Sequence, residues 1–268
     1  MTSETVKSQG FDITRVRITN AQSGEKLGKP PGIYVTMDVN PGVLPPDRVA
    51  QAAQALGEEL KRALGVGPGG LVMVCGLGNR DVTPDCIGPL ALEHVMVTRH
   101  LATNRELFGE LRPVCALAPG VLGSTGIESA EILRSVCERV RPDAVIVIDA
   151  LASRRVDRLC ATVQISDAGI VPGSGVGNSR AALNKETMGV PVVAVGVPTV
   201  VDAATLACDL LEKSGMAPPP IKDADRALMV TPREIDKRAA DMAKLIGYAV
   251  DLCLQDGYTW ADVSAFLS

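Results

Sequence analysis

The chain has 268 residues, 46% of them apolar and only 3% aromatic, with a net charge of −4. A core of Val, Ile, Leu and Ala suits a mostly parallel sheet covered by helices. The acidic balance, with no local basic cluster, excludes a nucleic-acid surface, and no apolar run is long enough to span a bilayer. The N-terminus MTSETVKSQGFDIT carries no apolar signal segment. Seven cysteines without a CxxC pair read as buried free thiols of a reducing compartment, not as zinc ligands.

Residues 1–12 read as a short disordered lead, and residues 13–268 as one domain. ITRVRIT (Ile13 to Thr19) and GIYVTMDV (Gly32 to Val39) alternate apolar and polar residues and are expected to pair as a hairpin-like edge. Val49, Ala52, Leu56, Leu60 and Leu64 recur at helical spacing behind Asp47, a candidate N-cap. Leu71 to Cys75 is an uninterrupted apolar run of strand length. It breaks on Gly76, Gly78 and Asn79, and Asp85 follows just past Pro84. GPLALEHVMVTRHL reads as a helix entered through Pro89. Pro113 to Ala118 is a short strand, and Ile127 to Val140 an amphipathic helix with Ile127, Ile132, Val136 and Val140 as core residues. The run Ala144 to Ile148 ends directly on Asp149.

Leu159 to Ile165 alternates as a further strand, and a long glycine-rich loop follows to Asn184. Pro191 to Val197 is another buried strand, Ala203 to Lys213 a helix, and Pro232 to Gln255 a long helix before a short one at Trp260. The order predicts an α/β fold, a three-layer α/β/α sandwich with right-handed crossovers and a mostly parallel sheet.

Asp85 and Asp149 therefore follow the carboxyl ends of parallel strands, the edge where open α/β sheets bind ligands. Two acids on one rim have three uses. Close together they titrate apart and serve as acid and base around one water. Further apart they are hard ligands for a divalent metal. Singly, each is an ordinary helix cap. Asp202, after PTVV, is a third rim carboxylate and reads best as the N-cap of the next helix. Asp81 is a further carboxylate beside Asp85, placed to shift the pair or to bind Arg80.

Other patterns are weaker. Gly76-Leu77-Gly78 lacks the third glycine of a dinucleotide fingerprint, since Asp81 stands there. GVLGSTG has no GK[ST] after it. PGSGVGN offers the backbone of Gly173, Ser174, Gly175, Gly177 and Asn178 as an anion or oxyanion nest, or it is a plain surface loop. His94 and His100, six apart on one expected helix, face different sides and make a poor metal pair.

GLGNRDVTPDCIGP, VTRHL, LAPGVLGSTGIES, VIVIDALASR, PGSGVGN and VGVPTVVDA, with ITRVRIT and GKPPGIYVTMDV before them, closely resemble the germination protease family of spore-forming bacteria. The resemblance runs from about Ile13 to Asp209, and more loosely through VTPREID. It implies the fold of the hydrogenase maturation peptidases. It implies an atypical aspartic endopeptidase that needs no cofactor and no metal and cleaves small acid-soluble spore proteins at germination. It places the catalytic pair at Asp85 in VTPD and Asp149 in IDALASR, the two positions the strand argument selects. It further implies a cytoplasmic zymogen of the spore core or forespore, assembled as a homotetramer, with no direct contact to nucleic acid or membrane. Family members carry a longer N-terminal segment, so residues 1–12 are expected to be a propeptide remnant. The rival readings are a metal-dependent maturation-type peptidase with both aspartates as ligands, and a sporulation protein that binds without cutting.

Overall fold

Three apolar runs organise the molecule: Val72 to Cys75, Ala144 to Ile148, and Val192 to Val197 are all buried on both faces. The structure is a computed structural model that describes residues 1–25, 27–39, 45–102, 104–177, 180–220 and 228–267. In chain order the elements begin with β1 (Thr2–Ser8), β2 (Phe11–Ile18), α1 (Ala21–Glu25), β3 (Gly32–Asp38), α2 (Pro46–Leu64) and β4 (Val72–Gly76). Next come α3 (Ile87–Leu92), α4 (Arg105–Phe108), β5 (Val114–Leu117), α5 (Leu122–Thr125), α6 (Ser129–Val140) and β6 (Ala144–Ala152). The rest are β7 (Thr162–Ser166), α7 (Lys185–Met188), β8 (Val192–Asp202), α8 (Ala203–Lys213), β9 (Met229–Val230), α9 (Ile235–Leu254) and α10 (Trp260–Leu267).

The sheet runs β1-β2-β3-β7-β8-β6-β4-β5, with β9 paired to the far end of β8. Strands β5, β4, β6 and β8 are mutually parallel, as the crossovers through α3 and α6 require. Beyond them β7, β3, β2 and β1 continue as an antiparallel wing. Each fully buried Val or Ile of the parallel strands contributes roughly 1.5–3 kcal/mol relative to exposure. One face packs on α2, α3 and α9 through residues such as Leu56, Ile87, Ile146, Ile148, Val195 and Ile246. The other packs on α6 through Met73, Cys75, Leu133, Cys137, Val145 and Val147. These are the three layers of an α/β/α sandwich.

The hairpin of β2 and β3 forms as expected, with Val16 opposite Tyr34. Residues 1–12 are not a disordered lead. Thr2 to Ser8 pairs along its whole length with β2, and although most of it is exposed, Val6 is partly buried against the core. Its strand rests on ladder hydrogen bonds, on cross-strand ion pairs such as Arg15 with Glu4, and on a single core contact through Val6. Asp47 does not cap α2, which starts at Pro46 with Asp47 in its first turn. The helix expected through Leu101 stops at Leu92, and His94 and His100 lie in turns beyond it. The Asp251 carboxylate takes the Met96 N–H at 2.9 Å and holds that segment extended. Helix α6 buries Ala130, Leu133 and Cys137, while Ile127 precedes the helix and is 44% exposed.

Candidate active site

Strand β4 ends at Gly76 and the chain turns back over the sheet rim through a 3-10 turn, Thr83–Asp85, into α3. Two glycines make that crossing possible. A Cβ on Gly88 would stand 2.2 Å from the Leu77 carbonyl oxygen and 2.6 Å from that of Ile148. Gly78, at φ +107°, lies against the Asp85 carbonyl, and a Cβ there would be 2.0 Å from it. A side chain at either position would push the turn away from the strand ends. Within the turn the Asp85 Oδ2 accepts the Asn79 N–H at 2.8 Å, and Cys86 Sγ donates to the Thr83 carbonyl at 2.9 Å.

Asp149 continues β6 one residue past Ile148, whose carbonyl accepts the Leu77 N–H at 2.8 Å. It is 6% exposed and opposite Gly196 of β8. Its Oδ1 accepts the N–H of Ala150. Burial, and then the charge of Asp85, push its carboxyl up to about 7, while the Ala150 N–H opposes the shift. Asp85 is raised as well, by burial, against the pull of the Asn79 N–H. The two acids are thus close enough for one to oppose ionisation of the other. Burial disfavours the charged form of both, and more strongly at the deeper Asp149. Because the pair is coupled, its titration belongs to both groups together.

Neither acid is a helix cap: the N-cap position of α3 is Cys86, and Asp149 lies within its strand. Asp202 is one, accepting the N–H of Thr205 at 2.8 Å and its hydroxyl at 2.6 Å, six residues along β8 from the partner of Asp149. Asp81 is exposed, Arg80 pairs instead with Glu93, and the charge felt by Asp149 comes from Asp85. Of the glycine-rich loop, Gly173 and Gly177 take left-handed φ angles of 71° and 73° around a 3-10 turn. A Cβ on Gly175 would meet Ala152 Cβ at 2.8 Å, so the loop rests on the end of β6. Ser174 faces the cleft beside Leu151. Asn178 lies outside the described residues. Among the described residues no three His, Cys, Asp or Glu side chains cluster to hold a metal, and no helix is long and apolar enough to cross a membrane.

Sequence reasoning missed Thr199. Strand β8 carries a bulge there: Leu151 opposes Pro198, and Ala152 opposes Val200. The extra residue turns its fully buried side chain out of the ladder, and its Oγ1 donates to the Pro84 carbonyl at 2.6 Å. Its own carbonyl accepts the Thr231 hydroxyl at 2.9 Å. The bulge thereby ties β8 to the turn that presents Asp85. A Pro-Thr step inside an apolar strand is its only trace in the sequence.

The profile of a peptidase family described as germination protease matches residues 1–213. A germination protease of Caldanaerobacter subterraneus subsp. tengcongensis is 42% identical, over 97% of this chain and 89% of its own. One of Clostridium perfringens is 39% identical, over 99% of this chain and 91% of its own. One of Bacillus mycoides is 45% identical over 77% of this chain and 58% of its own. Among solved structures, the [NiFe] hydrogenase maturation protease HycI of Thermococcus kodakarensis KOD1 aligns with 72% of this chain and 98% of its own, at 21% identity and a TM-score of 0.39.

Proposed function

The chain belongs to the germination protease family, and on that premise we propose that it is an aspartic-type endopeptidase that cleaves small acid-soluble spore proteins at germination. Asp85, ionised, draws a proton from a water. Asp149, protonated, gives its proton to the scissile carbonyl; as the resulting diol collapses, Asp85 passes the proton it took from water to the leaving amine, and Asp149 recovers a proton from the diol hydroxyl. The observation that carries this reading is the buried Asp149 held near pH 7 by its surroundings and by Asp85 on the same rim. Two carboxyls on one rim whose surroundings shift them unequally can serve as an acid and a base made from one residue type. The loop of Gly173, Ser174, Gly175 and Gly177 is proposed to hold substrate backbone. Assembly as a homotetramer, synthesis as a zymogen and residence in the spore core or forespore cytoplasm belong to the same proposal.

The test is cleavage of a purified small acid-soluble spore protein by wild type, Asp85→Asn and Asp149→Asn, each with and without a chelator. The reading expects chelator-resistant cutting by wild type and at least a 10³-fold loss in both variants, the scale of removing an acid–base group. Chelator-sensitive cutting would transfer the aspartates to a metal, and binding without cutting by wild type would make the chain a binding protein.

A further inference from the structure

The face of the sheet that bears Asp149 is covered unevenly. Helix α6 packs over β4 and β6. Over β8, β7 and β3 the same face opens as a cleft of about 290 Å³. Strand register fixes what lines its floor and where Asp149, which is not itself part of the lining, stands relative to it. Asp149 opposes Gly196, Gly196 opposes Gln164, and Gln164 opposes Thr36. These four residues form one row across four strands, and all project to one face, because residues directly opposite in paired strands share it. The alternate residues Val195, Ile165, Val35 and Ile148 go into the core on the other side. With strands about 4.8 Å apart, Gly196, Gln164 and Thr36 lie about 5, 10 and 14 Å from Asp149.

Three features of this floor bear on what it receives. Gly196 is bare, and the Leu151 side chain folds over it, so close that a Cβ there would stand 2.4 Å from Leu151 Cδ1. The floor residues Thr36, Gln164, Gly196 and Leu151 are uncharged. Among the described residues no hydrogen bond engages the Gln164 carboxamide, although it is half-buried at the centre of the row. Its polar atoms are open to solvent, so a ligand can take the place of water as their partner. It offers one acceptor and two donors, the complement of a peptide unit.

We infer that the cleft seats the substrate polypeptide in extended form on one side of the scissile bond, with the Gln164 carboxamide hydrogen-bonded to a substrate backbone amide. The inference rests on Asp149 acting at the scissile bond. A span of about 14 Å at 3.3–3.6 Å per residue holds about four substrate residues. The site reads backbone, and so demands a segment free of its own helix or sheet hydrogen bonds. That selects unfolded chains over folded ones.

The experiment uses peptides cut from the segment that wild type cleaves, lengthened one residue at a time on each side of the scissile bond. Wild type is expected to gain in kcat/KM over about four added residues on one side only. Gln164→Ala is expected to lose about tenfold on the long peptides, in KM and not in kcat, and less than twofold on the shortest. In the inactive Asp149→Asn background, adding Gln164→Ala is expected to weaken binding of the long uncut peptide about tenfold by fluorescence anisotropy. Equal length dependence in wild type and Gln164→Ala, with anisotropy unchanged, overturns the inference while leaving the aspartate pair standing. Cleavage by Asp149→Asn itself would instead remove the premise, and the two failures are distinct.

Discussion

Asp251 offers the sharpest physical test of the fold, because a carboxyl is buried there for no catalytic reason. It lies on α9 at 1% exposure; Oδ1 accepts the Met96 N–H and, among the described residues, Oδ2 has no partner. The buried Arg112 spends donors on the Leu254 and Gly70 carbonyls and lends Asp251 no charge. Burial therefore pushes its carboxyl up to about 8, against an unfolded value near 3.9. The folded chain keeps a proton that the unfolded chain has lost between about pH 4 and pH 8. Stability then falls as pH rises through that window, by about 1.4 kcal/mol per pH unit for one proton, and is flat in this group outside it. Asp251→Asn keeps the acceptor for Met96 and cannot ionise. Whatever its stability at pH 5, it should gain about 2.7 kcal/mol on wild type between pH 5 and pH 7. Urea unfolding followed by circular dichroism at pH 5, 6 and 7, at one protein concentration, measures this. Asp149 titrates in both proteins and cancels from the difference. Parallel plots of stability against pH would refute the reasoning and mean that Asp251 is solvated or paired in the native state.

Two other outcomes follow from the site. Activity should need Asp85 ionised and Asp149 protonated, so kcat/KM should fall on the acid side as Asp85 takes up a proton, above the ordinary carboxylate range, and on the alkaline side near pH 7 as Asp149 loses its own; a flat profile from pH 6 to pH 8.5 would dismiss Asp149 as the acid. Thr199→Val leaves the partly buried Pro84 carbonyl without its donor and should cost about 1 kcal/mol in urea unfolding, with a drop in kcat that Thr199→Ser restores. A Val variant with full kcat would show that the bulge does not position Asp85.

The two rim acids are legible in the chain because each interrupts a pattern that is otherwise purely apolar. Runs such as AVIVI have few alternatives to a buried parallel strand, so a carboxylate at their end is placed by the run itself. Thr199 and Gln164 are not legible in that way. The role of Thr199 exists only because β8 has one residue more than β6 between Leu151 and Ala152, and a mismatch between two strands is written in neither alone. Gln164 is visible as the polar member of an alternating strand, but its distance from Asp149 depends on a register set across two antiparallel partners. The terminal strand β1 failed for a third reason. TSETVKS has only Val6 to set against the core, and most of its order comes from β2, which supplies the ladder partners and the Arg15 that binds both Glu4 and the buried Glu59.

These sources of order meet at the rim. The parallel strands fix Asp149 in a dry environment, where burial favours its protonated form. Asp85 arrives on a turn instead, and a turn is held only by what touches it: glycine contacts beneath, the Asn79 N–H on its carboxylate, and Thr199 on its carbonyl. In the proposed mechanism the acid is therefore set by the core and the base by a few hydrogen bonds. Substitutions in the core should act first on the alkaline limb of the pH profile. Substitutions around the turn should act on the acid limb and on kcat, because they alter where the base stands without altering how deeply its partner is buried.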